Sequence, residues 1–208
     1  AIYEDHRGIL WIGTMGDGLH SLNRQSGLIT RHSFDEKIPE KLSRPDLNGE
    51  IGHISFITED SDNNLWIGTI GNGIKIFNSD RNKAIHLGKS AKGYEEYEDN
   101  SGWRAYPTND GLVWLTTQEN NLYRIDLYNK NIPFFEKKIG LTSFYQDSSD
   151  TEWIGTEEGL IRRNIAEAIY ETYTQSPHES GCLSNNYVRR IFEDDKGDLW
   201  IGTLNGLN

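Results

Sequence analysis

Three carboxylate pairs come first among the residues that could do chemistry: Glu4-Asp5, Glu59-Asp60 and Glu193-Asp194. Adjacent acids can share general acid and base work when their surroundings push their pKa values apart. Repetition argues otherwise here, because a reaction needs one such pair whereas a turn is needed wherever a strand ends. The pairs are therefore expected at the ends of inner strands, in turn hydrogen bonds and away from any shared cavity. The run Asp60-Ser-Asp62-Asn-Asn64 alternates oxygen-bearing side chains as a calcium loop does, but lacks the glycine and the distal glutamate of an EF-hand. The histidines, His6, His20, His32, His53, His86 and His178, share neither a short segment nor an i, i+4 spacing, so no zinc site is expected. Serine, histidine and aspartate are all present, but no phrase places a serine on a strained nucleophile elbow. Cys182, the single cysteine, has no partner for a disulfide and no accompanying histidine pattern, and it reads as a small space-filler.

A different chemistry is suggested by planar side chains in long linking segments. Tyr94 and Tyr97 lie in the stretch 88–102, Trp103-Arg104 follows it directly, and a second long stretch spans 35–52, just before His53. Rings that stack on the C–H face of a sugar, beside groups that bond its hydroxyls, are what a carbohydrate needs. The competing reading is that the aromatics only anchor their loops. Setting Ile57 against Ile191 places His53 opposite Tyr187, and setting Trp114 against Trp200 places Trp103 opposite Arg189. The candidate ligand-binding residues are therefore His53, Tyr94, Tyr97, Trp103, Arg104, Tyr187 and Arg189. No catalytic residue, metal or cofactor is expected.

What must position these residues is a repeat. Leu-Trp-Ile-Gly-Thr recurs at Trp11, Trp66 and Trp200, with degraded copies at Trp114 and Trp153, and the successive spacings are 55, 48, 39 and 47 residues. A period of about 47 is that of four-stranded β-propeller blades. Each copy reads as an apolar first strand ending in Glu-Asp, a polar turn, and a second strand carrying the tryptophan. A glycine-bearing turn follows, then a third strand ending four residues on at Asn23, Asn78, Asp126 or Asn164. Outer strands fit 28–34, 84–87, 132–138 and 168–173, although 166–173 could also form a short helix.

Successive apolar residues at Leu10-Trp11-Ile12 point to opposite faces, so both faces of each sheet must be covered, as in stacked blades. Trp11, Trp66, Trp153 and Trp200 are expected to be buried between blades. The following glycine, Gly13, Gly68, Gly155 or Gly202, is expected to admit the next blade. The fold expected is thus all-β: one propeller segment over 1–208, with four full repeats and the first two strands of a fifth blade. Further blades are expected elsewhere in the protein, in preference to a four-bladed ring closed by strands from the N-terminus.

Composition sets the outer bounds. With 21 basic against 32 acidic residues the net charge is −11, which argues against a nucleic-acid partner. A mean hydropathy of −0.68 and the absence of a long apolar run exclude a membrane-embedded chain.

The phrase Ile-x-Glu-Asp-x-x-Gly-x-Leu-Trp-Ile-Gly-Thr-x-x-Gly-Leu, with Leu183-Ser184-Asn185-Asn186-Tyr187-Val188 leading into the last copy, resembles the two-component regulator propeller repeat. Proteins built of this repeat resemble the extracytoplasmic sensor regions of hybrid two-component systems. There, propellers precede an immunoglobulin-like domain, a membrane helix and a cytoplasmic histidine kinase. The resemblance implies a non-catalytic, carbohydrate-sensing periplasmic module. Its partners would be an oligosaccharide or other small ligand, further blades, an immunoglobulin-like domain and a second copy. Nothing in the chain resembles the kinase, and the motif residues are structural, so the resemblance carries over no binding residue. Two other classes compete, a propeller lyase or glycosidase and a protein-interaction scaffold. A non-repeated histidine or carboxylate at the channel mouth would favour the enzyme, and a broad apolar face the scaffold.

Overall fold

The computed structural model describes residues 1–32, 53–88, 97, 99, 101–129, 134–136, 140–164, 166–167, 169–176 and 181–208. Two compact units are present, Ala1–Phe135 and Glu136–Asn208. Every regular element in the described residues is a strand.

The first unit holds three four-stranded antiparallel blades. Blade 1 is β1 (Ile2–Glu4), β2 (Ile9–Gly13), β3 (Leu19–Asn23) and β4 (Ile29–His32). Blade 2 is β5 (Ile54–Glu59), β6 (Leu65–Thr69), β7 (Ile74–Phe77) and β8 (Ala84–Leu87). Blade 3 is β9 (Arg104–Pro107), β10 (Val113–Thr116), β11 (Leu122–Ile125) and β12 (Phe134–Glu136). In the second unit, blade 4 is β13 (Ser143–Gln146), β14 (Glu152–Gly155), β15 (Leu160–Asn164) and β16 (Ile169–Tyr173). The last sheet is three-stranded: β17 (Val188–Glu193), β18 (Leu199–Thr203) and β19 (Gly206–Leu207). Strands run in chain order across each sheet, as the repeat predicts. Two details differ from the sequence reading. Residues 169–173 are an outer strand and not a helix, and the last sheet gains a short third strand beyond the expected two.

One aspartate organises the first turn of four blades. In blade 1, Asp5 Oδ1 accepts the backbone N–H groups of Arg7 and Ile9, and Oδ2 accepts the Trp11 indole N–H at 2.9 Å. Asp60, Asp147 and Asp194 repeat the arrangement with Trp66, Trp153 and Trp200 at 2.8, 3.0 and 2.9 Å. The second acid of each pair thus closes its own turn and satisfies the indole donor that would otherwise be buried unpaired. Blade 3 has Thr108 at this position, hydrogen-bonded to Asp110 and to the Leu112 carbonyl. The residue three beyond this position is always left-handed, with φ of 72°, 60°, 82°, 59° and 84° at Gly8, Asn63, Gly111, Asp150 and Gly197. Only glycine, asparagine and aspartate occupy it, the residues that tolerate that conformation.

The motif threonine closes the second turn and joins the blades. Thr14, Thr69 and Thr156 each donate through both backbone N–H and hydroxyl to the carbonyl of Gly18, Gly73 or Gly159. Their own carbonyls accept from the first strand of the next blade, at Ile54, Gly102 and Val188 respectively. Gly13 admits that neighbour, since a Cβ there would lie 2.3 Å from Ile54 Cγ2, and at Gly155 it would lie 2.7 Å from Val188 Cγ1. Gly68 departs from the expectation: its space is taken by Phe56 of its own blade, at 2.1 Å. Asn23, Asn78, Asp126 and Asn164 accept backbone N–H groups of the third turn, which explains their fixed offset.

Both faces of the tryptophan strand are covered in blade 2. Leu65 and Ile67 pack with Trp11, Ile54 and Ile57 on the blade 1 side, whereas Trp66 packs with Val113, Leu115 and Tyr123 of blade 3. Trp11, Trp66 and Trp153 are each covered by the sheet that follows them. Trp11 and Trp66 are 6% and 0% exposed, and Trp153 is half-buried against the Leu183, Val188 and Ile201 cluster. Trp200 departs from the expectation at 43% exposed, since among the described residues no following sheet covers its face.

The turn aspartates also give the fold a sign of pH dependence. Burial raises the Asp5 and Asp147 pKa values, but bonds from the indoles, turn N–H groups, Arg81 at Asp5 and Ser149 at Asp147 outweigh it and hold both below the ordinary 3.8. At Asp194 the indole of Trp200 leads, with the same result. A carboxylate depressed on folding contributes stability that is complete above its unfolded pKa and lost as pH falls through the folded value. Thermal midpoints are therefore expected to stay level from pH 7 to about 5 and to fall below about 4. A midpoint unchanged down to pH 3 would contradict this assignment.

Candidate functional site

At the end of the first unit that carries the second turns, β5 and the chain entering β9 meet the Thr69–Gly73 turn from two sides. Ile70 donates to the His53 carbonyl at 3.0 Å, and Gly71 donates to Ser101 Oγ at 3.2 Å. Trp103 follows, its backbone N–H on the Thr116 carbonyl at 2.7 Å and its side chain 42% exposed. Arg104 begins β9 opposite Thr116 and is half-buried. These three sequence candidates thus share one end of neighbouring blades.

Tyr97 does not join them. It is fully buried in the blade 2–blade 3 core, its hydroxyl donating to the Ser101 carbonyl at 3.0 Å and its ring 4.9 Å from that of Tyr123. Burial, with Asp99 and Tyr123 beside it, pushes its phenol well above the ordinary 10.0. As a ligand contact Tyr97 is therefore corrected to a loop anchor. Asp99, which sequence reasoning did not single out, is buried and accepts from the Tyr123 hydroxyl at 2.8 Å and the Asn121 amide at 3.1 Å. Tyr94 lies outside the described residues.

In the second unit, Tyr187 accepts the Leu204 N–H at 3.0 Å, as His53 accepts that of Ile70. Both β5 and β17 shift register after the next residue, between Ile54 and Phe56 and between Val188 and Arg190. Arg189 sits exposed at that bulge, at the level of Ser55. The inter-blade bonds of Ile54, Gly102 and Val188 put Ser55, Trp103 and Arg189 at one repeat position, which bears out the pairing of Trp103 with Arg189.

At the opposite end of blades 1 and 2 a charged cluster appears that the sequence reading had kept apart. Arg81, in the third turn of blade 2, reaches Asp5 Oδ2 at 3.2 Å and also bonds Glu59 Oε1. Glu59 further accepts the His6 backbone N–H at 2.8 Å and lies 2.7 Å from the His6 ring nitrogen. Two of the Glu-Asp pairs therefore converge on one guanidinium, and Asp5 borders a pocket of about 280 Å³. The expectation that the pairs stand apart is corrected: one acid from each of two pairs meets Arg81, although only Asp5 reaches the pocket. Arg81 is 10% exposed and held at φ 59°, a left-handed conformation that crowds the Cβ of any residue but glycine, while its Nη1 bonds the carbonyls of Asn63 and Asn78. The carboxylate oxygens of Asp5 and Glu59 accept these donors, so the cluster ties two blades together. Among the described residues no group of three or more acidic, histidine or cysteine side chains could hold a metal.

Residues 1–16, 49–71 and 182–205 match the family described as "Two component regulator propeller". These three segments match the two-component regulator propeller repeat. The matched segments are the three intact copies around Trp11, Trp66 and Trp200, and the copies at Trp114 and Trp153 lie outside them, as their altered motifs predict. No curated protein matches the chain. Among solved structures, the chain resembles the extracellular domain of a hybrid two component system of B. thetaiotaomicron, at 20% identity and a TM-score of 0.66 over 99% of this chain and 32% of that one. A second extracellular domain from the same organism matches at 23% identity and 0.69, over 96% and 25%. PorZ, a surface component of the type-IX secretion system of Porphyromonas gingivalis, matches at 18% and 0.66, over 100% and 31%. The chain thus spans a quarter to a third of these structures, and the likeness shows the propeller fold. Among the described residues no helix is long and apolar enough to cross a membrane.

Proposed function

We propose that this propeller segment is a non-catalytic, ligand-sensing part of the extracytoplasmic region of a bacterial two-component signalling protein, in the periplasm, and that its ligand is a carbohydrate. The observation that carries the reading is Trp103, a large aromatic left 42% exposed at a repeat position where blade 2 has Ser55. An exposed, backbone-anchored ring beside Arg104 and His53 suits a sugar face and its hydroxyls. The propeller repeat supports the class of protein, and the extracellular origin of two of the similar structures supports the location. Further blades, an immunoglobulin-like domain and a second copy are the partners proposed with it, and a histidine kinase the output. Ligand would act by changing how the blades pack against those neighbours.

Titrating neutral and acidic oligosaccharides against the full-length protein tests the reading. Trp103→Ala is expected to weaken binding about tenfold or more, the loss of one good stacking contact. Loss for acidic sugars alone in Arg104→Ala would mark an anionic ligand. Unchanged affinity in both variants would remove this rim as the site.

A further inference from the structure

Equivalent positions on the tryptophan face differ from blade to blade, and only some combinations fill the space beside the indole. In blade 2, Trp66 stands across from Ile76 and Ile76 from Ile85, and these aliphatic chains pack into the core with it. In blade 4 the same positions are Arg162 and Glu171, paired at 3.4 Å, with the guanidinium 5.5 Å from the Trp153 ring centre. Blade 3 places Arg124 over Trp114 at 5.7 Å. Blade 1 has Ser21 and Thr30 instead; His32 lies 5.0 Å from the Trp11 ring and 2.9 Å from Ser21 Oγ, and a pocket of about 280 Å³ remains beside them. Two hydroxyl residues thus stand where a packed blade carries isoleucines.

The groups the pocket offers are almost all donors. Its one carboxylate, Asp5, has both oxygens occupied by Arg7 N–H, Ile9 N–H, the Trp11 indole and Arg81. Asn23 uses its side-chain oxygen on the Gln25 and Ser26 N–H groups, which leaves its amide hydrogens. Arg7 at the mouth has one long bond, 3.4 Å to the Asp80 carbonyl, and no carboxylate within ion-pair distance among the described residues. Ile9 and Leu28 supply apolar wall. A volume just below the usual 300–1,000 Å³ of ligand sites suits a single small molecule.

We infer that this pocket between blades 1 and 2 binds a small organic carboxylate, its charge met by Arg7 and the Asn23 amide and its body set against Ser21, Thr30 and Leu28. The site is separate from the Trp103 rim and needs no part of the carbohydrate reading. The test is calorimetric titration of the full-length protein with glucuronate and with glucose, its uncharged counterpart. Ser21→Ile with Thr30→Ile copies the blade 2 filling. It is expected to keep a cooperative thermal transition, the apolar filling offsetting the lost Ser21–His32 bond of 2.9 Å, while weakening glucuronate binding at least tenfold. Arg7→Gln, on an exposed side chain, is expected to weaken it to a similar extent without moving the midpoint. Glucose is expected to bind at least tenfold more weakly than glucuronate. Failure of glucuronate to bind, binding unchanged in the filled variant or in Arg7→Gln, or glucose binding as tightly as glucuronate would each overturn the proposal. Glucuronate binding that survives the filling but is lost in Arg104→Ala would place the anion at the rim.

Discussion

Replacing Trp66 by alanine is expected to lower the unfolding free energy by about 3–5 kcal/mol, the range for truncating a large aromatic in a core that cannot collapse around the cavity. Trp66 is fully buried, packs on Val113, Leu115 and Tyr123, and bonds Asp60 through its indole. Truncation therefore opens a void between two blades and leaves an aspartate short of a donor. The same change at Trp103, which is 42% exposed, is expected to cost no more than about 1–2 kcal/mol, in proportion to the smaller apolar area removed. Urea unfolding followed by far-UV circular dichroism compares the two. Equal losses would mean that burial in the core shared by blades 2 and 3 is not what makes Trp66 costly to truncate.

Removing the charge of Arg81 is expected to be comparably severe. Arg81→Met should cost about 3–5 kcal/mol, because breaking a buried ion pair from one side leaves the other charge uncompensated. Here two carboxylates are stranded: Asp5 and Glu59 have side chains 0% and 7% exposed, on different blades. Adding Glu59→Gln to Arg81→Met should recover part of the loss, since the second change removes one stranded charge. A cost below about 1 kcal/mol for Arg81→Met would show that the cluster is solvent-compensated and no bridge between blades. Recovery in the double variant separates the electrostatic cause from lost side-chain packing, which Glu59→Gln would not restore.

The regular parts of this fold were legible because their causes are local. Four strands per repeat, the turn at Asn23 and its equivalents, and the burial of Trp11 and Trp66 each follow from residues a few positions apart, repeated often enough to be read as a pattern. A turn aspartate and its tryptophan are six residues apart, within reach of any four-residue turn and strand start. Even so, their bond went unread, because the pair looked like a turn signal alone.

Tertiary structure decided whatever depends on which blade faces which. Arg81 meets Asp5 from 76 residues away, and nothing in the spacing of either motif singles out that arginine. Tyr97 and Trp103 looked alike as aromatics of one long loop, and only the inward or outward turn of the chain separated anchor from exposed ring. Trp200 carries the same motif as Trp66 and is left open because burial belongs to the neighbour, not to the residue. Ser21 and Thr30 are unremarkable in sequence. They become a pocket wall only when strand register places them beside Trp11 at the positions that Ile76 and Ile85 fill beside Trp66 in blade 2, since a cavity is defined by the side chains that leave it unfilled.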